Sequence, residues 1–310
     1  MRIFLAPSHV RGKNDSLFDQ RQYHDLLNGH FRDFLEESGH PASLAFIDID
    51  SEQNLHVCAH GNTDARIAWT RNEALEGSWR VAAFHSNQIA ELDEFDPNHL
   101  RKADGIFVSG EAFQAPLAIR TADCLAVAVT LESSSKVLAA SCFHAGWRGY
   151  CSGIQLAAFK SFNAKWPSHL KSAHESPQFF VTIGPAVFGA SYPCGSDVLE
   201  ALTYHHNMRL AGLPGWSDRH EKAFWSAAGR HLVTTHGKVF PDLQQLMCIE
   251  LDALGINLSN VTVYRENTFT SEFWPSHRRS VSNGQASAER LITHLCPPAC
   301  PSVTNRDSTP

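Results

Sequence analysis

A cysteine and a histidine lie at matching ends of two apolar segments and could do chemistry together. Cys124 directly precedes the alternating segment 125–131, and His144 directly follows the apolar segment 137–143. The polar residues 132–136 between them predict a turn, so the two segments are expected to form a β-hairpin. Because the strands of a hairpin run antiparallel, Cys124 and His144 should meet at its open end. A thiol beside an imidazole is either half of a metal site or a nucleophile with its base.

A second histidine, His85, extends this pair to three candidate metal ligands. His85 follows the apolar segment 79–84, so it is also expected at the end of a strand. Two histidines and one thiolate can hold zinc and leave a fourth position open for water or substrate. Zinc held in this way makes hydroxide available near neutral pH. The alternative is that Cys124 is a packed core thiol and that the two histidines only form hydrogen bonds.

Three arginines are candidates for binding an anion such as phosphate. Arg148 lies between two glycines, where a strand is expected to pass into a helix whose free N–H groups attract anions. Arg278 and Arg279 follow an aromatic pair and offer a second anion site. The planar, permanently charged guanidinium suits phosphate or carboxylate. The alternatives are a tight turn with a solvated Arg148 and an ordinary charged loop around 276–279.

The remaining segments predict a mixture of strands and helices. Strands are expected at 2–5, 43–49, 54–59, 79–84, 178–183 and 261–265, while a turn at 103–105 precedes 106–109 and the segment 116–120 leads into the hairpin. Helices are expected at 17–38, 64–75, 150–166, 197–204, 219–234, 242–254 and 286–295. Because strands and helices do not alternate in a regular βαβ rhythm, we predict one α+β domain with sheets packed on each other and helices outside.

The composition is typical of a globular protein rather than a nucleic-acid-binding or membrane protein. Of the 310 residues, 43% are hydrophobic and 19% are charged, and the formal net charge is -6. No apolar segment approaches the roughly 20 residues that span a bilayer, and the first residues lack the apolar region of a signal peptide. The eight cysteines are spread over a chain far longer than small disulfide-built domains. We therefore expect a cytoplasmic protein with free thiols and no nucleic-acid or membrane partner.

Two motifs, separated by about twenty residues, resemble those of the multicopper polyphenol oxidase family, also called the laccase-domain family. They are Thr-Ala-Asp-Cys, which ends at Cys124, and His-Ala-Gly-Trp-Arg-Gly, which begins at His144. The segments 103–105, 183–186 and 276–279 are similar to three further family motifs, in the order Asp-Ala-Asp, Ile-Gly-Pro and Ser-Tyr-Arg-Arg. Members of the family are also described as purine nucleoside phosphorylase-like proteins and as peptidoglycan-editing factors.

The resemblance implies a fold and a set of domain limits. The fold is a four-layer α/β/β/α arrangement, with a pair of mixed sheets packed as a sandwich between helices. The catalytic domain is expected at 54–295. Residues 1–53 are expected to be a divergent N-terminal segment of the same domain, because the family's Ser-Thr-Arg-x-Gly-Gly segment is not found there. The Pro-, Ser- and Thr-rich residues 296–310 are expected to be a disordered tail.

The resemblance also implies a metal and an activity. Zinc, or copper in an older interpretation of the family, is expected to bind His85, Cys124 and His144. Purine nucleosides would be cleaved with phosphate, or adenosine would be deaminated. Asp123, next to a ligand, could move protons or only brace its turn. The phosphate would be neutralised by Arg148 and by the arginines of the later motif, Arg278 and Arg279.

Two other functions stay open at this point. In a metal-free hydrolase, Cys124 would attack an amide, such as that of a peptidoglycan precursor, and His144 would be its base. Alternatively, the chain could be a module that binds a metal or a nucleotide without turnover.

Overall fold

The computed structural model describes residues 29–39, 42–45, 55–92, 100–133, 136–166, 177–229, 237–285, 288–298 and 300. Their contacts form two compact units. Unit one contains the described residues before position 49 and those of 188–265, and unit two contains those of 49–187 and those from 266 onward. Every predicted site residue belongs to unit two. The predicted domain limits at 53 and 295 stay predictions.

The described residues form strands and helices that alternate irregularly along the chain. The strands are β1 (Ser43–Ala45), β2 (Leu55–Ala59), β3 (Arg66–Arg71), β4 (Trp79–Arg80), β5 (Ile89–Leu92), β6 (Gly105–Ser109), β7 (Leu117–Thr121), β8 (Leu125–Glu132), β9 (Val137–Ala145), β10 (Gln178–Ile183), β11 (Val261–Tyr264) and β12 (Leu291–Cys296). The α-helices are α1 (Gly29–Glu37), α2 (Trp147–Ser152), α3 (Ile154–Lys165), α4 (Ser196–His205), α5 (Asp218–Ala227), α6 (Leu243–Ala253) and α7 (His277–Ser282).

Two mixed sheets form the centre of unit two. In the first sheet, neighbouring strands of this unit follow the order β10-β8-β9-β6-β5, and β5 is parallel to β6 while the other pairs are antiparallel. In the second sheet the order is β2-β3-β12-β7-β4, and only β4 with β7 is a parallel pair. β7 packs against β8 and β9, so the two sheets face each other, and α3 covers β5, β6 and β9. The α+β prediction, with mixed sheets and flanking helices, is confirmed.

The predicted hairpin is present as β8 and β9 in the first sheet. Its register pairs Leu125 with Ala145 and Ala126 with His144. Every residue of β8 is buried, and so is nearly all of β9. The open end of the hairpin therefore brings Cys124 next to His144, as the sequence predicted.

Two predicted helices are wrong, because both segments are central strands of the second sheet. The segment 64–75 contains β3, which pairs with β2 on one side and β12 on the other. The segment 286–295 contains most of β12, which lies between β3 and β7. Central strands that are buried on both faces carry continuous apolar runs, and a short run of this kind cannot be told from a buried helix by periodicity.

Other boundaries differ locally from the predictions. The helix predicted at 150–166 is two helices, α2 and α3, which meet at Gly153 with a φ of 85°. Cys296, the first residue of the predicted tail, ends β12 and is buried, as is Cys300. The predicted strand 2–5, the predicted helix before residue 29 and the residues after 300 lie outside the described residues.

Unit one combines helices with one pair of parallel strands. β1 pairs with β11, with Leu44 opposite Val263. α5 packs against α1 and α6. The guanidinium of the buried Arg265 is bonded to Asp242, the residue that caps α6. Over the described ranges of both units, no helix combines the length and the apolarity that crossing a membrane requires.

Candidate metal centre and the adjoining cavity

Three side chains from separate parts of unit two converge at the open end of the hairpin. His144 lies near the end of β9 and is buried, Cys124 lies in the turn between β7 and β8, and His85 lies in the loop after β4. One potential ligand atom from each of the three lies within 4.8 Å of the others. The structure thus brings together the three residues that the sequence proposed as metal ligands.

The buried carboxylate of Asp104 contacts two parts of this site, the loop that carries His85 and the ring of His144. Its oxygens accept hydrogen bonds from the backbone N–H groups of Phe84 at 3.1 Å, His85 at 2.9 Å and Ser86 at 2.7 Å, and from the Ser86 hydroxyl at 2.7 Å. Its Oδ1 also lies 2.9 Å from Nδ1 of His144. Asp104 therefore fixes the loop that carries one histidine and the ring of the other.

The same contact decides which nitrogen of His144 can bind a ligand. An ionised carboxylate only accepts hydrogen bonds, so Nδ1 of His144 must carry the proton that it shares with Asp104. Nε2 is then the nitrogen that is left to face the centre of the site. Although burial would raise the pKa of Asp104, its bonds to His144 and to Ser86 outweigh burial and hold the pKa well below its usual range.

Cys124 and His144 influence each other's ionisation. Burial alone would raise the pKa of the Cys124 thiol, but hydrogen bonds and charge attraction from His144 and His85 outweigh it and lower the pKa to about 7. Burial would likewise lower the pKa of His144, but Asp104 and Cys124 raise it to about 9. The metal-free pair therefore favours a thiolate beside an imidazolium near neutral pH.

Two glycines of the second motif allow the backbone to approach this site closely. A Cβ on Gly146 would lie 2.9 Å from Sγ of Cys124 and 2.9 Å from Cδ2 of His85, which is closer than atoms tolerate. A Cβ on Gly149 would lie 3.0 Å from the carbonyl oxygen of Ser86. The glycines thus let the start of α2 lie against the His85 loop, with the three candidate ligands around Gly146.

The donor set suits a metal ion. Imidazole nitrogen and thiolate sulfur are the ligands that zinc prefers, and soft thiolate also suits copper(I). The carboxylate on the far nitrogen of His144 is the outer contact typical of metal-binding histidines. The lowered pKa of Cys124 supplies the thiolate form that a metal ligand needs. These residues fit a bound metal with three protein ligands.

Asp123 is buried beside Cys124 and has a backbone φ of 82°. Its Oδ1 accepts a hydrogen bond from the hydroxyl of Thr268 at 2.8 Å, and its Oδ2 accepts one from the backbone N–H of Arg278 at 2.8 Å. Its carbonyl oxygen accepts from the backbone N–H of Val187 at 2.9 Å. These contacts favour the interpretation in which Asp123 braces the turn that presents Cys124.

The three arginines proposed from sequence lie around the site in different settings. Arg148 is the second residue of α2, and its guanidinium lies over the ring of Trp147, 4.2 Å from the centroid. The backbone of Arg278 is held by Asp123. The guanidinium of Arg279 donates to backbone carbonyl groups of the preceding loop, at Thr268, Phe269, Ser271 and Trp274. Arg279 therefore stabilises this loop.

A cavity of about 1160 Å³ opens beside the candidate ligands. Its described lining includes His85, Cys124 and His144, the histidine His277, and the cationic side chains of Arg80, Arg101, Arg120 and Arg290. Apolar surface comes from Trp79, Val81, Leu92 and Leu100. Of the arginines proposed from sequence, none lies among these described lining residues. The site thus joins a candidate metal centre to a positively charged cavity.

Sequence reasoning missed Asp104 and the four arginines of the cavity. Asp104 was assigned only to a turn, and its partners are 18 to 40 positions away in the chain. For Arg120 the available signal was its charge, because it follows three apolar residues within β7. The others lie at the end of a two-residue strand or outside the strands, where no periodicity marks a side-chain direction.

The sequence of the chain is similar to those of known proteins. The sequence pattern of the family described as multi-copper polyphenol oxidoreductase laccase matches residues 62–289. A purine nucleoside phosphorylase of Pseudomonas aeruginosa is 25% identical over 235 residues, which cover 75% of this chain and 83% of that protein. A purine nucleoside phosphorylase of Haemophilus influenzae is 27% identical over 209 residues, which cover 66% of this chain and 70% of that protein.

Solved structures share the fold. YlmD from Geobacillus stearothermophilus superposes with a TM-score of 0.54 at 17% identity, and the match covers 81% of this chain and 98% of that one. A protein of Neisseria meningitidis superposes with a TM-score of 0.52 at 15% identity, and the match covers 79% of this chain and 100% of that one. Identities this low support the likeness of fold alone.

Proposed function

This chain belongs to the multi-copper polyphenol oxidoreductase laccase family, and from that premise we propose that it is a zinc-dependent enzyme acting on purine nucleosides. The observation that carries the proposal is the convergence of His85, Cys124 and His144 at the edge of a cavity large enough for a nucleoside. The names of the similar bacterial proteins supply the substrate class.

His85, Cys124 and His144 would hold the zinc. A bound zinc supplies Lewis-acid activation of water near neutral pH. Asp104 orients the ring of His144 through its Nδ1 and holds the His85 loop through three backbone N–H groups. Asp123 keeps the Cys124 turn in place. These hydrogen bonds would thus position the three ligands before substrate binds.

Two reactions fit this site. In phosphorolysis, a phosphate oxygen bonds to C1′ of the ribose, the N-glycosidic bond breaks, and the purine leaves with a proton. In deamination, water adds to C6 of adenosine and ammonia leaves. The arginines that line the cavity give it the positive charge that suits a ligand carrying phosphate, and preorganised charge of this kind stabilises negative charge that develops during a reaction.

A test needs a variant that loses the metal and a matched variant that does not. Wild type, Cys124→Ala and Cys58→Ala would be assayed with inosine plus phosphate and with adenosine, with chromatography of the products. Cys58 lies in β2, and it is neither a candidate ligand nor among the cavity's described lining. We expect turnover by wild type and Cys58→Ala, and loss of turnover with Cys124→Ala. Equal turnover by all three proteins would contradict the proposal.

One observation favours a second candidate, a cysteine hydrolase. Cys124, His144 and Asp104 follow the order nucleophile, base and orienting acid, and the lowered pKa of Cys124 provides a thiolate. Such an enzyme would attack an amide without a metal. Activity toward amides that survives a chelator but is lost after alkylation of Cys124 would support it, and activity that a chelator removes and zinc restores would exclude it.

A further inference from the structure

We propose that the cavity beside the candidate metal centre binds a nucleotide, a purine nucleoside that carries at least one phosphate group, in preference to a free nucleoside. The proposal rests on the proposed function for the purine part of the ligand. The phosphate part is argued from the charges that line the cavity.

The strand register places two of the arginines, Arg80 and Arg120, on one face of the second sheet. Arg80 in β4 lies opposite Ala118 in β7, and Arg120 is two residues further along β7, so both side chains project from the same face. In β12, Ile292 lies opposite Arg120, and Arg290 precedes Ile292 by two residues. Arg290, the residue directly before β12, lines the same cavity as Arg120 and Arg80.

Arg101, in the segment after β5, also lines the cavity. It forms an isolated parallel bridge with Val81, the residue after Arg80, and its carbonyl oxygen accepts from the backbone N–H of Ala82 at 2.8 Å. His277, the first residue of α7, also lines the cavity. The described lining thus contains four permanent positive charges and one histidine.

Among the described residues, none of the four arginines that line the cavity forms an ion pair. The cavity's described lining residues include no aspartate or glutamate. The ion pairs seen among the described residues involve other arginines, such as Arg71 with Glu289 and Arg219 with Asp252. Four like charges that share one cavity repel one another, so an anionic ligand that enters it is strongly favoured.

The amount of charge points to a phosphorylated ligand. A neutral nucleoside would leave the positive charge of the arginines uncompensated. A free orthophosphate accepts bidentate bonds from guanidinium groups, but it leaves the apolar part of the lining uncovered. A nucleotide brings its phosphate covalently linked to the sugar and base, for which Val81, Leu92 and Leu100 offer apolar surface. The volume of about 1160 Å³ also exceeds what a nucleoside alone requires.

Calorimetric titration of the full-length protein, purified with its metal, tests this directly. The ligands are adenosine, inorganic phosphate, adenosine in the presence of phosphate, and adenosine monophosphate. We expect the monophosphate to bind at least about tenfold more tightly than adenosine, with an affinity that falls as salt is added. Arg120→Gln and Arg290→Gln should each weaken monophosphate binding about tenfold. Lys160→Gln, which removes an exposed positive charge of α3 outside the described lining, should leave it unchanged.

Each outcome has one meaning. Equal affinities for adenosine and its monophosphate would overturn the proposal, and so would phosphate-enhanced adenosine binding that matches the monophosphate, because the arginines would then serve a separate phosphate. Arginine variants that fold normally and bind the monophosphate as wild type does would also overturn it. Turnover is measured separately, so monophosphate binding without turnover of any purine would refute the proposed function and leave this inference standing.

Discussion

Oδ1 of Asp104 lies 2.9 Å from Nδ1 of His144, and this contact orients the buried histidine of the candidate metal centre. The same oxygen accepts the backbone N–H of His85 at 2.9 Å. One carboxylate thus sets the positions of two of the three candidate ligands. Outer contacts of this kind govern both the geometry and the basicity of a metal-binding histidine.

Replacing that carboxylate should weaken metal binding without removing a ligand. Asp104→Asn keeps the shape of the side chain but loses the charge and one of its acceptor oxygens. We expect zinc affinity to fall about 10- to 100-fold, measured by competition with a chromophoric chelator. An affinity equal to that of wild type would show that Asp104 does not position the site.

A methyl group at Gly146 should disrupt the centre by contact alone. In Gly146→Ala the new Cβ would meet Sγ of Cys124 and Cδ2 of His85, each at 2.9 Å. We expect zinc affinity to fall at least about tenfold, because ligands displaced by even a small distance lose their geometry. The matched control is Gly212→Ala, where a Cβ would meet no atom within 4 Å. Equal losses in the two variants, or none in either, would contradict the close approach seen at Gly146.

The metal-free protein should contain one unusually reactive thiol. Thiolate is the form that reacts with iodoacetamide, so the rate of alkylation at Cys124 should rise with pH through its pKa of about 7. Burial raises the pKa of Cys142 far above its usual range and that of Cys248 to about 12, so those thiols should stay unreactive. Mass spectrometry of the alkylated peptides gives the site and the rate. A fast phase that persists in Cys124→Ser would refute the assignment.

Two buried histidines should destabilise the fold in acid. Burial lowers the pKa of His60 and of His294 from 6.5 to about 3. Between these values the unfolded chain binds a proton that the folded protein excludes, so stability is complete above pH 6.5 and is lost as the pH falls toward 3. The loss should approach about 1.4 kcal/mol per pH unit for each histidine, measured by urea unfolding.

A variant assigns part of this loss to one residue. His60 bonds the hydroxyls of Thr182 at 2.8 Å and Thr130 at 3.0 Å, and His60→Gln keeps a hydrogen-bonding side chain that does not titrate. The variant should lose stability less steeply than wild type below pH 6.5, and the two slopes should agree above pH 7. Parallel slopes over the whole range would show that His60 does not carry the effect.

The sequence predicted the part of the site whose residues lie at the ends of strands with a regular apolar alternation. The alternation of β8 and β9 placed Cys124 beside His144 without any long-range information. It was misleading in the second sheet, because β3 and β12 are buried on both faces and have no alternation to read. The roles of Asp104 and of the arginines that line the cavity could not be predicted from the sequence for a different reason. Their roles depend on the pairing of strands that are far apart in the chain, such as β7 with β12, and no local pattern encodes that pairing.

The central claim is that His85, Cys124 and His144 hold a metal ion, and elemental analysis of freshly purified protein tests it most directly. The account predicts about one zinc per chain in wild type and in Cys58→Ala, and little or none in Cys124→Ala. Wild-type protein that contains no metal, and that does not take up zinc when it is supplied, would contradict the account and favour the hydrolase in which Cys124 is the nucleophile.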